Sequence, residues 1–201
     1  MTQTGKQQHG FTLIEALIAF VILSVGLLGI VSLQAMAKTS QHLAIQHTRA
    51  VTLADAIVER IRVNPGGIAT YNIGLNNPID GTVFSAEPSP DCKAAPCSTT
   101  ELANYDLWLW EQALMGEGAT VSGEGTAGLN EPHGCILFAP APGRARTGQL
   151  TVIIQWRGLH ESYDAVQSGE AVCNDETVSG GSDDFRRQVV SNTYVVDESE
   201  F

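Results

Sequence analysis

Residues 9–34 read HGFTLIEALIAFVILSVGLLGIVSLQ. From Ala16 to Leu33 only Ser24 and Ser32 are polar, and no residue is charged. A run of this length approaches the roughly 20 residues that a helix needs to cross the hydrocarbon core. It is apolar on every face, whereas a helix on the surface of a soluble domain keeps one polar face. One carboxylate, Glu15, stands just inside the apolar stretch, close behind the Gly10-Phe11 pair. A charged side chain at the bilayer centre costs about 2.5–3.5 kcal/mol, and less near a helix end. A partner for Glu15 is therefore expected.

Outward from this segment the chain changes character on both sides. Residues 1–10 are polar, and Lys6 is the only charged residue ahead of Glu15. A basic residue on that flank places the N-terminal end in the cytoplasm and the bulk of the chain across the membrane. All the cysteines, Cys92, Cys97, Cys135 and Cys173, lie in the polar remainder. An even set in an exported domain reads as disulfides, with three connectivities open. The short Cys92–Cys97 spacing allows a local loop and favours leaving Cys135 to Cys173. No C-x-x-C and no histidine pair with ligand spacing occurs, so no metal is expected. The chain carries 22 acids against 11 bases, a formal net charge of −11. Nucleic acids and anionic lipid surfaces call for basic surface, so no nucleic-acid partner is expected. Arg144 and Arg146 read as residues that solubilise a loop.

Between Gln34 and Val63 no Pro or Gly interrupts the chain. Leu43, His47, Ala50, Ala54, Ile57 and Ile61 recur at steps of four and three, one face of a helix. Gln46, Arg49, Thr52, Asp55, Glu59 and Arg62 fall elsewhere and can face water. Asn64-Pro65-Gly66-Gly67 is a strong stop signal. The spacing predicts one helix of roughly fifty residues, about 75 Å long. Its membrane half occupies residues 11–34 and its amphipathic half residues 35–65.

Residues 66–201 read as an α+β head domain. Residues 68–98 show little periodicity and form a loop-rich connection. Ser98-Thr99-Thr100-Glu101 is a capping box; it opens a short helix over 99–115 with Leu102, Tyr105, Leu109 and Ala113 on one face. Trp108 falls off that face. Residues 116–128 are Gly-rich and acidic, lack the lysine of a phosphate loop, and read as a surface loop. Three strands are expected, at Cys135–Phe138, Leu150–Trp156 and Gln188–Val196, with a turn at 179–184. The fold class is α+β: a long N-terminal helix packs its amphipathic half on a small antiparallel sheet, burying both apolar faces.

No catalytic constellation accompanies this fold. His160-Glu161 lacks the second histidine of a zinc protease motif, no G-x-S-x-G occurs, and Asp183-Asp184 reads as part of the turn. The expectation is a non-enzyme without cofactors, acting through anchoring, assembly or binding.

Gly10-Phe11-Thr12-Leu13-Ile14-Glu15, behind a short leader with one basic residue and ahead of an unbroken apolar helix, resembles the cleavage and assembly signature of type IV pilins and pseudopilins. The resemblance implies that residues 1–10 are a prepilin leader. A prepilin peptidase would cut after Gly10 and methylate the new amino group of Phe11. It also implies that Glu15 docks the subunit in the growing fibre, with the Phe11 amine as its partner. Ala54-Asp55-Ala56-Ile57-Val58-Glu59-Arg60-Ile61-Arg62-Val63-Asn64-Pro65 resembles the helix end of the minor pilins known as type IV pilus modification proteins, the V class. The segments Cys97–Trp108 and Leu150–Trp156 are similar to other parts of that class. Ser32 stands where many major pilins carry a helix-kinking proline, which favours a minor subunit. The implied setting is a single-pass inner-membrane protein, held in lipid by residues 11–34, with a periplasmic C-terminal domain. It would meet other minor and major pilins and enter the pilus fibre. A minor pseudopilin of a type II secretion system and a ligand-binding module at a fibre tip are the alternatives.

Overall fold

In the computed structural model the described residues are 12–117, 120–121, 124–125, 128–161, 172–173 and 184–201. The chain divides into two compact units, Met1–Ala44 and Ile45–Phe201. Helix α1 spans Leu13–Val63 without a break. Asn64 ends it, because a residue ahead of proline is driven out of the helical region; Asn64 takes φ −125° and ψ 59°. A single 3₁₀ turn, Pro65–Gly67, and the short helix α2, Ile68–Tyr71, follow.

The head sheet is antiparallel, with β1 (Gly74–Ile79), β4 (His133–Pro140), β5 (Gly148–Arg157) and β6 (Arg186–Val195) side by side in that order. β4 pairs β5 from His133↔Gln155 to Pro140↔Gly148, and β5 pairs β6 from Gly148↔Val195 to Arg157↔Arg186. The three expected strands are all present, each longer than the apolar pattern alone marks out. Helix α3 covers Thr99–Met115, the span predicted for it.

Period-two alternation divides β5 between two cores. Leu150, Val152, Ile154 and Trp156 join Ala50, Ala54, Ile57, Val58 and Ile61 of α1 and Ala103, Leu107, Trp110 and Leu114 of α3 in the main core. The opposite face of the sheet buries Cys135, Ile153 and Cys173, with Leu75 and Leu137 packed against them. Burying side chains of this kind stabilises the fold by about 1.5–3 kcal/mol each. Gly134 is required by the main core: a Cβ there would lie 2.5 Å from the Trp110 ring. The indole therefore lies on bare β4 backbone, and its Nε1 donates to the carbonyl of Leu53 at 3.1 Å.

Four expectations need correction. The segment 68–98 contains α2 and strand β1; the sequence Gly74-Leu75-Asn76-Asn77-Pro78-Ile79 has no strand-like alternation, and pairing with β4 makes it a strand. The buried residues of α3 are Ala103, Tyr105, Asp106, Leu107, Trp110, Glu111 and Leu114; of the four expected, only Tyr105 is buried, while Ala113 is exposed and Leu102 and Leu109 are half-buried. Two buried carboxylates hid this face from a purely apolar count. The stretch 116–128 contains a two-residue antiparallel pair, β2 (Thr120–Val121) with β3 (Glu124–Gly125). His47 is exposed; its ring meets Trp156 edge-on, with centroids 6.3 Å apart. The turn expected at 179–184 lies, apart from Asp184, outside the described residues.

Candidate functional site

Gly10 and Phe11 lie outside the described residues. Glu15 sits in the first turn of α1, where the Thr12 carbonyl accepts from the backbone N–H groups of Glu15 and Ala16 at 3.1 and 3.3 Å. Unsatisfied N–H groups give a helix start a partial positive charge that favours a carboxylate. The side chain is exposed. Every large apolar residue from Leu13 to Leu33 is also more than half exposed, from 52% at Ile30 to 80% at Leu13. By length and composition this helix can cross a membrane. The Ser24 hydroxyl does not oppose that, since it donates to the carbonyl of Val21 within the helix at 2.8 Å.

The head surrounds the end of α1 with polar contacts that the sequence reading missed. Asp106 of α3 is buried and accepts from Arg60 Nη1 at 2.7 Å and from the Tyr71 hydroxyl at 2.5 Å. Asn64 Nδ2 donates to the Thr99 carbonyl at 2.7 Å and to the Tyr71 hydroxyl at 3.3 Å. Burial raises the Tyr71 pKa far above the ordinary phenol value, and its hydrogen bond to Asp106 adds to the rise. Tyr71 is thus a fixed neutral donor, and the network ties α1, α2 and α3 together. Glu111 does similar work one turn further on. Its Oε1 accepts from the N–H groups of Gly81 and Val83 at 3.1 and 2.9 Å, and its Oε2 from that of Phe84 at 3.0 Å. A buried carboxylate with such donors is stable; one without them is not. The only sequence signal for these residues was their place on a helix face shared with Ala103, Leu107 and Trp110.

The N-terminus of α3 is closed by the reciprocal capping box. Glu101 Oε2 accepts from the Ser98 N–H at 2.8 Å, and Ser98 Oγ accepts from the Glu101 N–H at 3.3 Å. The Ser98 N–H, then its hydroxyl, holds the Glu101 carboxyl below its ordinary pKa. One residue earlier, Cys97 is bonded to Cys92, and the second disulfide joins Cys135 of β4 to Cys173.

Arg144 and Arg146 do more than solubilise a loop. Arg144 Nη1 donates to the Glu200 carbonyl, and its guanidinium lies 3.6 Å over the Phe201 ring. Arg146 Nε pairs with Asp197 at 2.7 Å. Asp197 also accepts from the Ser199 hydroxyl and N–H at 2.6 and 2.9 Å. Those two bonds, with Arg146 adding a smaller effect, hold the Asp197 carboxyl below its ordinary pKa. The segment 197–201 is therefore fastened to the loop between β4 and β5. Among the described residues no group of three or more His, Cys, Asp or Glu side chains is placed to hold a metal ion.

A long N-terminal helix, apolar and exposed in its first half and packed in its second on a four-stranded antiparallel sheet, defines an α+β, pilin-like fold. Residues 5–31 match the family model of the prokaryotic N-terminal methylation motif. Residues 32–108 match the Tt1218-like family, described as type IV pilin Tt1218. With the fold, these adjoining matches make the chain a type IV pilin-like protein with an N-terminal prepilin methylation motif. Comparison with curated proteins and with solved structures gave no significant match. Pilins are structural rather than catalytic proteins. The motif implies processing by a prepilin peptidase and assembly with other pilins. Together with the apolar helix, it fits a membrane-anchored pilin that becomes part of a fibre.

Proposed function

We propose that the chain is a minor pilin that primes or modifies type IV pilus assembly. A prepilin peptidase cuts after Gly10 and methylates the Phe11 amine, and the head domain, residues 66–201, lies in the periplasm. The observation that carries this reading is the Gly10–Glu15 motif at the start of an apolar helix whose large side chains from Leu13 to Leu33 are exposed. Cleavage gives Glu15 a cationic partner, the Phe11 amine of the same or the neighbouring subunit. Inside an apolar bundle of helices a carboxylate lacking that partner is strongly disfavoured, so the pair sets the register in which a subunit docks. The similarity of residues 54–65 and 97–108 to the V class of minor pilins, and Ser32 in place of a kinking proline, support a minor role over a major one.

Two experiments test this. Mass spectrometry of the purified protein is expected to find an N-terminus at methylated Phe11; a mature protein that retains residues 1–10 overturns the proposal. Deletion of the gene is expected to remove surface pili and twitching. Retained pili with blocked exoprotein secretion would instead assign the chain to a type II secretion system.

A further inference from the structure

Asp80-Gly81 is the only Asp-Gly pair in the chain, and no Asn-Gly pair occurs. Such a pair is chemically labile. The glycine nitrogen can attack the carboxyl carbon of the Asp side chain. The N–H proton, one carboxyl oxygen and a proton from solvent leave as water, and a five-membered succinimide closes. Water then adds at the main-chain carbonyl of that ring. The old peptide C–N bond breaks, the nitrogen takes a proton, and the main-chain carbonyl becomes a free carboxylate. The chain now runs through the side-chain carbonyl, as isoaspartate. Glycine favours the closure because it has no Cβ to crowd the nitrogen and its backbone turns freely.

The pair follows directly on β1, and the structure holds both reactants. The Gly81 N–H donates to Glu111 Oε1 at 3.1 Å, so the attacking nitrogen is bound to a carboxylate from α3. A hydrogen bond to an ionised acceptor is roughly twice as strong as one between neutral groups. A negative neighbour also opposes loss of the N–H proton, since it disfavours a second negative charge. Asp80 Oδ1 accepts from the Thr82 N–H at 3.0 Å and from the Thr82 hydroxyl at 2.7 Å, an Asx turn. Glu111 is only 1% exposed, and the N–H groups of Val83 and Phe84 share its oxygens. Gly81 and Thr82 are exposed, so the water for the second step is at hand.

We propose that Asp80-Gly81 is an isoaspartate-forming site that Glu111 keeps closed. The reaction starts only from conformers in which the Gly81 N–H has left the carboxylate. It is also one-way. The rerouted main chain is longer by one methylene ahead of Gly81, so the N–H groups of Gly81, Val83 and Phe84 no longer reach Glu111 in register. A molecule whose loop has opened is thereby marked permanently at the end of β1.

The full chain in detergent at neutral pH provides the test. Isoaspartate is mapped in peptides by electron-induced fragmentation, and the succinimide is read as a product one water lighter. In denaturant the wild-type chain is expected to isomerise at Asp80 faster than at any other aspartate, and when folded about tenfold more slowly. Glu111→Gln keeps the shape and loses the charge, and is expected to raise the folded rate roughly tenfold. Asp106→Asn weakens the buried network on the same helix without touching this loop, and is expected to stay near the wild-type rate. One measurement needs no variant: as urea rises below the unfolding transition, isomerisation of the wild type should increase in proportion to amide exchange at Gly81. Equal rates in the folded and denatured chain overturn the proposal. So does Glu111→Gln at the wild-type rate, an equal rise in Asp106→Asn, or isomerisation that stays flat while Gly81 exchange climbs.

Discussion

The two halves of α1 have the same backbone and opposite environments. Between Leu13 and Leu33 no large apolar side chain is buried, and the one acid stands exposed in the first turn. Between Ala50 and Ile61 five residues are buried, and Arg60 meets a buried acid on α3. The second half finds its partners within its own chain, so its surroundings explain its sequence. Among the described residues the first half has no buried large apolar side chain, as fits a membrane-anchored pilin helix. Ala50 and Ala54 are buried in the main core of the head. Leu, Ile, Val and Phe fill the first half, where the described residues leave them exposed.

That contrast can be broken from either side. The largest effect is expected for Glu15→Ala. Cleavage, membrane insertion and head stability should be normal, while incorporation into fibres falls roughly a hundredfold, in line with loss of a buried charge pair. Immunoblots of sheared fibre and membrane fractions check this, and wild-type incorporation would remove the pairing argument. The head should respond in its own stability. Removing the second disulfide with Cys135→Ser and Cys173→Ser is expected to cost about 4 kcal/mol, against about 2 kcal/mol for the Cys92 and Cys97 pair, because the longer loop loses more entropy when closed. The sequence separations are 38 and 5 residues. Denaturation in detergent followed by tryptophan fluorescence reads both, and equal losses would contradict the loop-length account.

Glu111→Ala comes next, at about 3 kcal/mol, since three backbone donors lose one acceptor group and part of the cost is recovered from water. Amide exchange at Gly81, Val83 and Phe84 should rise together; separate responses would show that the carboxylate does not act as a single clamp. The smallest effect is the pH response of the C-terminal fastening. Asp197 has a folded pKa below its ordinary value of 3.8. Its contribution is therefore complete above that value and is lost as pH falls through the lower folded pKa. Protection of the Ser199 amide should hold from pH 7 to about pH 5 and fade below pH 4. Ser199→Ala should move the loss to higher pH, and an unchanged profile would count against the hydroxyl's role.

Much of this architecture was legible because its signals are local. Asn64-Pro65 stops α1, Ser98 and Glu101 start α3, and alternating β-branched residues mark β5 and β6. The Gly10–Glu15 motif was legible for the same reason: its meaning lies in adjacent residues. What escaped was made by distant partners. β1 has Asn76, Asn77 and Pro78 in its middle and becomes a strand only beside β4. Asp106 and Glu111 look like solvent-facing acids until Arg60, Tyr71 and three backbone N–H groups are placed around them. Arg144 and Arg146 looked like solubilising charges because their partners, Asp197 and Glu200, lie some fifty residues away.

The Glu111 clamp also bears on how freely the loop after β1 can be rewritten. One side chain on α3 fixes that loop by holding main-chain N–H groups, which every residue except proline possesses. Side chains at Thr82 and Val83 are thus open to replacement, and a short epitope or label could be grafted there without disturbing the sheet. Two positions carry tighter rules. Gly81 has φ 96° and lies against Met115 Sδ, so it stays glycine, and proline is barred from 83 and 84. The loop can accept new chemistry as long as its backbone still reaches Glu111.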